Sequence, residues 1–171
     1  MSGEETPSDS AGAPAVRRMW PRILIAVGVA FLIAVLYQAV GMAVFLPHFA
    51  SEDPREVVTA YFQARRWGLE GVSERALDSE VLAERRAPNY VDPLIEDVLL
   101  ARNLRVSASS AAFTGGTWFE GKYDEVKLFT VTYDSRWRSE IGQGPGPRHW
   151  FVYAGRNPGE PWMVLGQGTG P

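Results

Sequence analysis

The sequence predicts an α+β protein in which one transmembrane helix is followed by a domain of helices packed on an antiparallel sheet. Two patterns predict this class. Residues 23–46 carry no charged side chain, which is typical of a membrane span. In residues 54–171, apolar residues recur first at helical spacing and then, beyond Arg102, in the alternation typical of strands. Helices that precede hairpin-linked strands favour an α+β arrangement.

The charge-free segment is long enough to cross a bilayer once. As a helix, residues 23–46 would reach about 36 Å, against a hydrocarbon core of about 30 Å. A signal peptide has a shorter apolar region, of about 7–15 residues, and a buried core helix usually carries more polar positions than Tyr37 and Gln38. We therefore interpret the segment as an uncleaved signal anchor. Three alanines spaced by four are candidates for transmembrane helix packing: Ala26, Ala30 and Ala34.

The arginines set the expected orientation. Arg17, Arg18 and Arg22 precede the span, and the next basic side chain after it, apart from His48, is Arg55. Positive charge is retained on the cytoplasmic side, so we expect a cytoplasmic N-terminus and an extracytoplasmic domain at the cell membrane. The predicted organisation has four parts: a disordered cytoplasmic tail (1–22), a transmembrane helix (23–46), a linker (47–53) and an extracytoplasmic α+β domain (54–171).

Composition excludes several classes of function. The formal net charge is −3, and no basic stripe of the kind that binds nucleic acid is present. The chain has no cysteine, so the domain must be stabilised by packing without disulfides. With only His48 and His149 besides carboxylates, the ligands for a zinc site are few. We expect no metal and no cofactor.

The domain begins with a strong helix signal. Asp53 can cap the first amides, Pro54 suits the first helical position, and Glu56 can reach back as a capping box. This helix is expected to end near Gly68. A weaker helical region follows over 72–86, with a break around Asp78, and Asp92-Pro93 repeats the start signal for a third helix. The residues expected on the buried face of the first helix are Val58, Tyr61, Phe62 and Arg65.

Alternating and β-branched segments predict four strands, over residues 104–109, 127–133, 148–154 and 161–165. Gly and Pro clusters at 115–116, 142–147 and 157–159 predict the loops between them. In the second strand, alternate residues divide between two partly apolar faces. One face must pack on the first helix, and the other is a second layer, a partner surface or the lining of a concavity. The candidate partner surface comprises Phe129, Tyr133 and Trp137.

The order of these elements resembles a known family. It is similar to the nuclear-transport-factor-2-like, or cystatin-like, α+β fold, in particular to uncharacterised extracytoplasmic domains of Gram-positive bacteria. The resemblance implies a cone, in which a long first helix lies in a curved sheet, often with a pocket at the open end. It implies no single activity, because this fold hosts enzymes, carriers, dimerisation modules and parts of secretion machines. The residues that carry the resemblance are Asp53-Pro54, Val57-Val58, Tyr61-Phe62, Pro161-Trp162-Met163-Val164 and Gly168-Thr169-Gly170-Pro171.

Two kinds of function remain open. Enzymes of this family need an acid or base inside the cone, and the candidate catalytic residues are Tyr61, Asp134 and His149. No catalytic pattern of the family is complete at matching positions. We therefore expect a membrane-anchored binding or assembly module without catalysis, with the bilayer and a protein partner or second copy as partners, in an envelope or secretion-type complex. The alternative is a small-ligand-binding protein or an isomerase- or dehydratase-like enzyme with its site in the cone mouth.

Overall fold

The computed structural model describes residues 14–88, 98–109, 119–136 and 144–168, with side chains from Arg22 onward. Four helices and four strands lie in these ranges, and a 3₁₀ turn at Glu74–Ala76 separates the last two helices. The α+β class and the antiparallel sheet are as the sequence predicts. The helices are α1 (Pro14–Phe49), α2 (Pro54–Arg66), α3 (Glu70–Ser73) and α4 (Ser79–Arg85). The strands are β1 (Arg102–Ala108), β2 (Glu125–Ser135), β3 (Gly146–Arg156) and β4 (Met163–Gly168).

Contacts divide the chain into two units, residues 1–39 and residues 40–171. In the first unit, the described side chains from Arg22 onward are all exposed along α1. Length and apolar composition suffice for the helical segment Arg22–Phe49 to cross a membrane. Ala26, Ala30 and Ala34 are exposed on this helix, and their role in helix packing stays a prediction.

In the second unit, the last two turns of α1 pack on the domain. Gly41 and Phe49 are buried, and Met42 and Phe45 are half-buried against the core. These positions share one helical face, because residues three to four apart are neighbours on a helix. The helix therefore continues through residues 47–49, which the sequence assigns to a linker, and ends inside the folded domain.

The connection over residues 50–53 is held against the sheet. The indole Nε1 of Trp162 donates to the Glu52 carbonyl at 3.0 Å, and the Glu52 carboxylate pairs with Arg156. The Trp162 side chain is buried, and two cations lie near its ring, with Arg156 Cζ 4.7 Å and Lys127 Nζ 5.1 Å from its centroid. These contacts fix the connection to the domain, so only residues 50–53 of the predicted linker lie between α1 and α2.

The start of α2 differs in one detail from the predicted capping box. Asp53 is the N-cap and accepts from the Arg55 amide at 2.9 Å, as expected. The Asp53 amide, however, donates to Ser51 Oγ at 3.1 Å, so it does not reach Glu56. The Glu56 carboxylate instead accepts from Ser51 Oγ at 2.5 Å and lies 2.5 Å from His48 Nδ1. These two contacts, with Ser51 the stronger, hold the pKa of Glu56 below its ordinary value.

The four strands form an open antiparallel meander in the order β1-β2-β3-β4. One sheet face packs on α2, and the register places Phe129 opposite Val152 and Val131 opposite Trp150. Phe129 and Tyr133 are only 4% and 2% exposed, so they form the core and not the predicted partner surface. The reason is that their face is the one that α2 covers. Trp137 lies outside the described residues, as do the start of the predicted third helix and the loop at 115–116.

The other face of the sheet has two different ends. Toward β4, Phe119 and Leu165 are buried, and the Phe119 and Tyr153 rings lie 5.1 Å apart, which makes a small second apolar layer. Gly155 is needed here, because a Cβ at that position would lie 2.5 Å from Leu165 Cδ1 and 3.2 Å from Tyr123 Cγ. Toward β1 the same face carries an open groove that Thr132, Asp134 and His149 help to line. The second face is thus partly a layer and partly a concavity.

Candidate functional site

A pocket of about 200 Å³ lies between α4 and the edge strand β4. The predicted helix break creates it. Leu77 forms a parallel bridge to Val164, and the Asp78 amide donates to the Val164 carbonyl at 3.1 Å, so the chain crosses the β4 edge before α4 begins. The pocket therefore has one helical wall and one strand wall. Its lining residues are Tyr61, Leu77, Val81, Glu84, Arg85, Val164, Leu165, Gly166 and Gln167.

Asp78 fixes the start of α4. Its side chain is 4% exposed and accepts from the Glu80 amide at 2.8 Å, which caps the helix, and from the Tyr123 hydroxyl at 2.5 Å. Burial opposes the charged carboxylate, but the hydrogen bonds and nearby Lys122 outweigh it and hold the pKa of Asp78 below its ordinary value. Burial and the bond to Asp78 raise the pKa of Tyr123 far above its ordinary value.

Tyr61 presents the polar end of the pocket. The side chain is fully buried, and its hydroxyl accepts from Arg85 Nη2 at 2.6 Å and donates to Gln167 Oε1 at 3.4 Å. The guanidinium carbons of Arg65 and Arg85 each lie 5.8 Å from its ring centroid. The sequence favours a core tyrosine bonded to a backbone carbonyl. The buried core position is confirmed, but the hydroxyl bonds to the side chains of Arg85 and Gln167.

The other two candidate catalytic residues lie elsewhere. Asp134 and His149 line the open groove on the second sheet face, about 510 Å³ in volume. Asp134 accepts from Asn103 Nδ2 at 2.6 Å, and the His149 ring is exposed with its centroid 5.0 Å from that of Phe151. Tyr61 packs on the opposite face with α2. The sheet thus brings Asp134 and His149 to one groove and separates Tyr61 from both.

The sequence interpretation missed two residues of the pocket. It singled out neither Arg85 nor Gln167 as a site residue. Arg85 is 24 positions from Tyr61 and Gln167 is 106 positions from it. No local pattern marks such a meeting, because it depends on how α4 crosses β4. The helix break around Asp78 is the one signal in the sequence that bears on it.

The pocket has the lining of a binding site. Its described residues offer no paired nucleophile and base. A hydroxyl, an amide and a guanidinium lie at one end, and Leu77, Val81 and Val164 supply apolar surface. Such a lining suits a group with an apolar body and a polar end. No protein-family model, curated protein or solved structure matches this chain.

Proposed function

We propose that this protein is a membrane-anchored extracytoplasmic binding module that holds a side chain or short segment of a protein partner in the pocket between α4 and β4. The observation that supports this proposal most strongly is the size and lining of that pocket. Its volume of about 200 Å³ falls below the roughly 300–1,000 Å³ of most small-molecule sites. A single partner side chain fits this space better than a metabolite does.

Membrane anchoring is supported by the apolar helix and by the way it ends. A charge-free segment of span length runs directly into a turn packed in the domain core. The arginines before the span favour a cytoplasmic N-terminus and an extracytoplasmic domain at the cell membrane. A binding domain in this position serves the assembly of an envelope or secretion-type complex.

We also propose that the domain belongs to the nuclear-transport-factor-2-like, or cystatin-like, class. The support is a long helix on one face of an antiparallel four-stranded meander, with further short helices at one edge. The resemblance to extracytoplasmic domains of Gram-positive bacteria rests on the sequence motifs. Because this fold class contains both enzymes and binding proteins, our proposal also includes that this domain is not an enzyme.

Site-specific crosslinking in intact membranes tests the binding function. A photoreactive amino acid at Glu84, an exposed residue of the pocket lining, should yield a discrete adduct. The matched control is Arg102, exposed on β1 at the other sheet edge, which should not. An adduct of twice the chain mass identifies the partner as a second copy. Gln167→Ala should abolish the adduct, because it removes a polar group of the pocket. Equal adducts from both positions, or none, would contradict the proposal.

The groove with Asp134 and His149 favours a second candidate, a small-ligand site. Its volume of about 510 Å³ lies inside the usual range for such sites, and a carboxylate and an imidazole line it together. A small acidic or polar ligand should then raise the Tm of the unaltered protein but not of His149→Ala. Ligands that stabilise both proteins equally would exclude this groove.

A further inference from the structure

Two exposed apolar side chains lie at the C-terminal end of α2. Outside α1, Trp67 and Leu100 are the only large hydrophobic residues of the described chain that are exposed, at 51% and 40%. Trp67 ends α2, and the Leu100 amide donates to the Arg66 carbonyl at 2.9 Å, which brings the two segments together. One exposed apolar residue is ordinary on a protein surface. Two at the same end of one helix form a local apolar feature.

This end of α2 lies beside the charge-free part of α1. Leu69 packs on Gly41 so closely that a Cβ at position 41 would lie 2.7 Å from Leu69 Cδ1. Gly41 belongs to the charge-free run of residues 23–46. Counted from Ile23, the roughly 20 residues that cross a hydrocarbon core at about 1.5 Å per residue end near Met42. In a membrane-spanning α1, Leu69 would therefore lie near the point where hydrocarbon gives way to lipid headgroups, because it contacts Gly41.

Charged residues on both sides of Trp67 limit how deeply this end of α2 can enter a bilayer. Arg66 precedes Trp67, with its Cζ 5.6 Å from the indole centroid, and exposed Glu70 begins α3. Both charges must remain hydrated. An indole beside a guanidinium suits the headgroup region, where tryptophan is enriched and arginine keeps its charge in water.

We propose that Trp67 and Leu100 insert into the headgroup region of the bilayer and give the domain a second membrane contact besides α1. The inference rests on the proposed membrane anchoring. The occupant of this surface is lipid, because the surface adjoins a helix segment that itself lies within the span. Such a contact would restrict the tilt of the domain against the membrane.

Spin labels measure the depth of both residues. The chain has no cysteine, so Trp67→Cys and Leu100→Cys each provide one labelling site on the full chain in phosphatidylcholine–phosphatidylglycerol vesicles. Collision with oxygen relative to a water-soluble nickel chelate should be several-fold higher at both sites than at the control, Glu160→Cys. Glu160 is exposed in the turn after β3, beside the strand end where Arg156 pairs with Glu52 before α2.

A label at Ile33→Cys separates the possible failures. If position 33 contacts lipid while positions 67 and 100 behave like position 160, the anchoring stands and the second contact is refuted. If position 33 is accessible to the nickel chelate, the anchoring fails and the inference fails with it. Shielding of positions 67 and 100 from both reagents would show a covering copy of the chain and would also overturn the proposal.

Discussion

At the residue scale, the bond between Tyr123 and Asp78 holds the pocket wall. Asp78 caps α4 and bonds to the edge of β4 through its amide, and Tyr123 reaches it from the turn before β2. The sequence marked Asp78 as a break between helices. It gave no sign of Tyr123, because the two residues are 45 positions apart and meet only through the fold.

Replacement Tyr123→Phe should lower the free energy of unfolding by about 1–3 kcal/mol, since it removes a hydrogen bond to a buried carboxylate. Chemical denaturation of the full chain in detergent measures the change. In a double-mutant cycle with Asp78→Ala, the two losses should not add, because each substitution removes the hydrogen bond between Tyr123 and Asp78. Additive losses would show that the two side chains act independently.

The same pair predicts a loss of stability at both ends of the pH range. The lowered pKa of Asp78 contributes stability that is present above its ordinary value of 3.8 and is lost as the pH falls below it. The raised pKa of Tyr123 contributes stability that is present below its ordinary value of 10.0 and is lost as the pH rises beyond it.

The free energy of unfolding of Tyr123→Phe should therefore depend less on pH than that of the unaltered protein, both below about pH 4 and above about pH 10. Denaturation midpoints across the pH range measure this dependence. Parallel curves for the two proteins would mean that the hydrogen bond does not shift the pKa of Asp78 or of Tyr123.

At the element scale, the periodic spacing of hydrophobic residues predicted most of the secondary structure. The start of α2 at Pro54, the break before α4 and the four strands are confirmed within the described residues. The C-terminal end of α1 could not be predicted from this spacing. A charge-free run marks where a helix can lie in lipid, but its last turns at Met42 and Phe45 are apolar for a different reason, which is packing on the domain.

Gly41 and Gly28 provide a matched test of this packing. Gly41→Leu should displace Leu69 and lower the Tm of the domain, because even a Cβ at position 41 lies too close to Leu69. Gly28→Leu meets nothing within 4 Å and should leave the Tm unchanged. The Tm of each full-length variant in the same detergent gives the comparison. Equal effects of the two substitutions would show that α1 does not pack on the domain at Gly41.

At the scale of the whole molecule, the sequence predicted the class and left the site open. Alternation predicted that the second strand has two partly apolar faces, but not which of them α2 covers. That choice buries Phe129 and Tyr133 and leaves Asp134 and His149 in an open groove. The pocket at Tyr61 depends on Arg85 and Gln167, which only the crossing of α4 over β4 brings together. Local patterns do not determine such crossings.

The central claim is that a folded domain is anchored by α1 with its N-terminus in the cytoplasm. Thiol labelling in protoplasts of a bacterium that expresses the chain tests it most directly, because the chain has no cysteine of its own. A membrane-impermeant reagent should label Glu160→Cys in intact protoplasts, and should label Ser10→Cys only after lysis. Labelling of Ser10→Cys before lysis, or recovery of the full-length chain in the soluble fraction, would contradict the account.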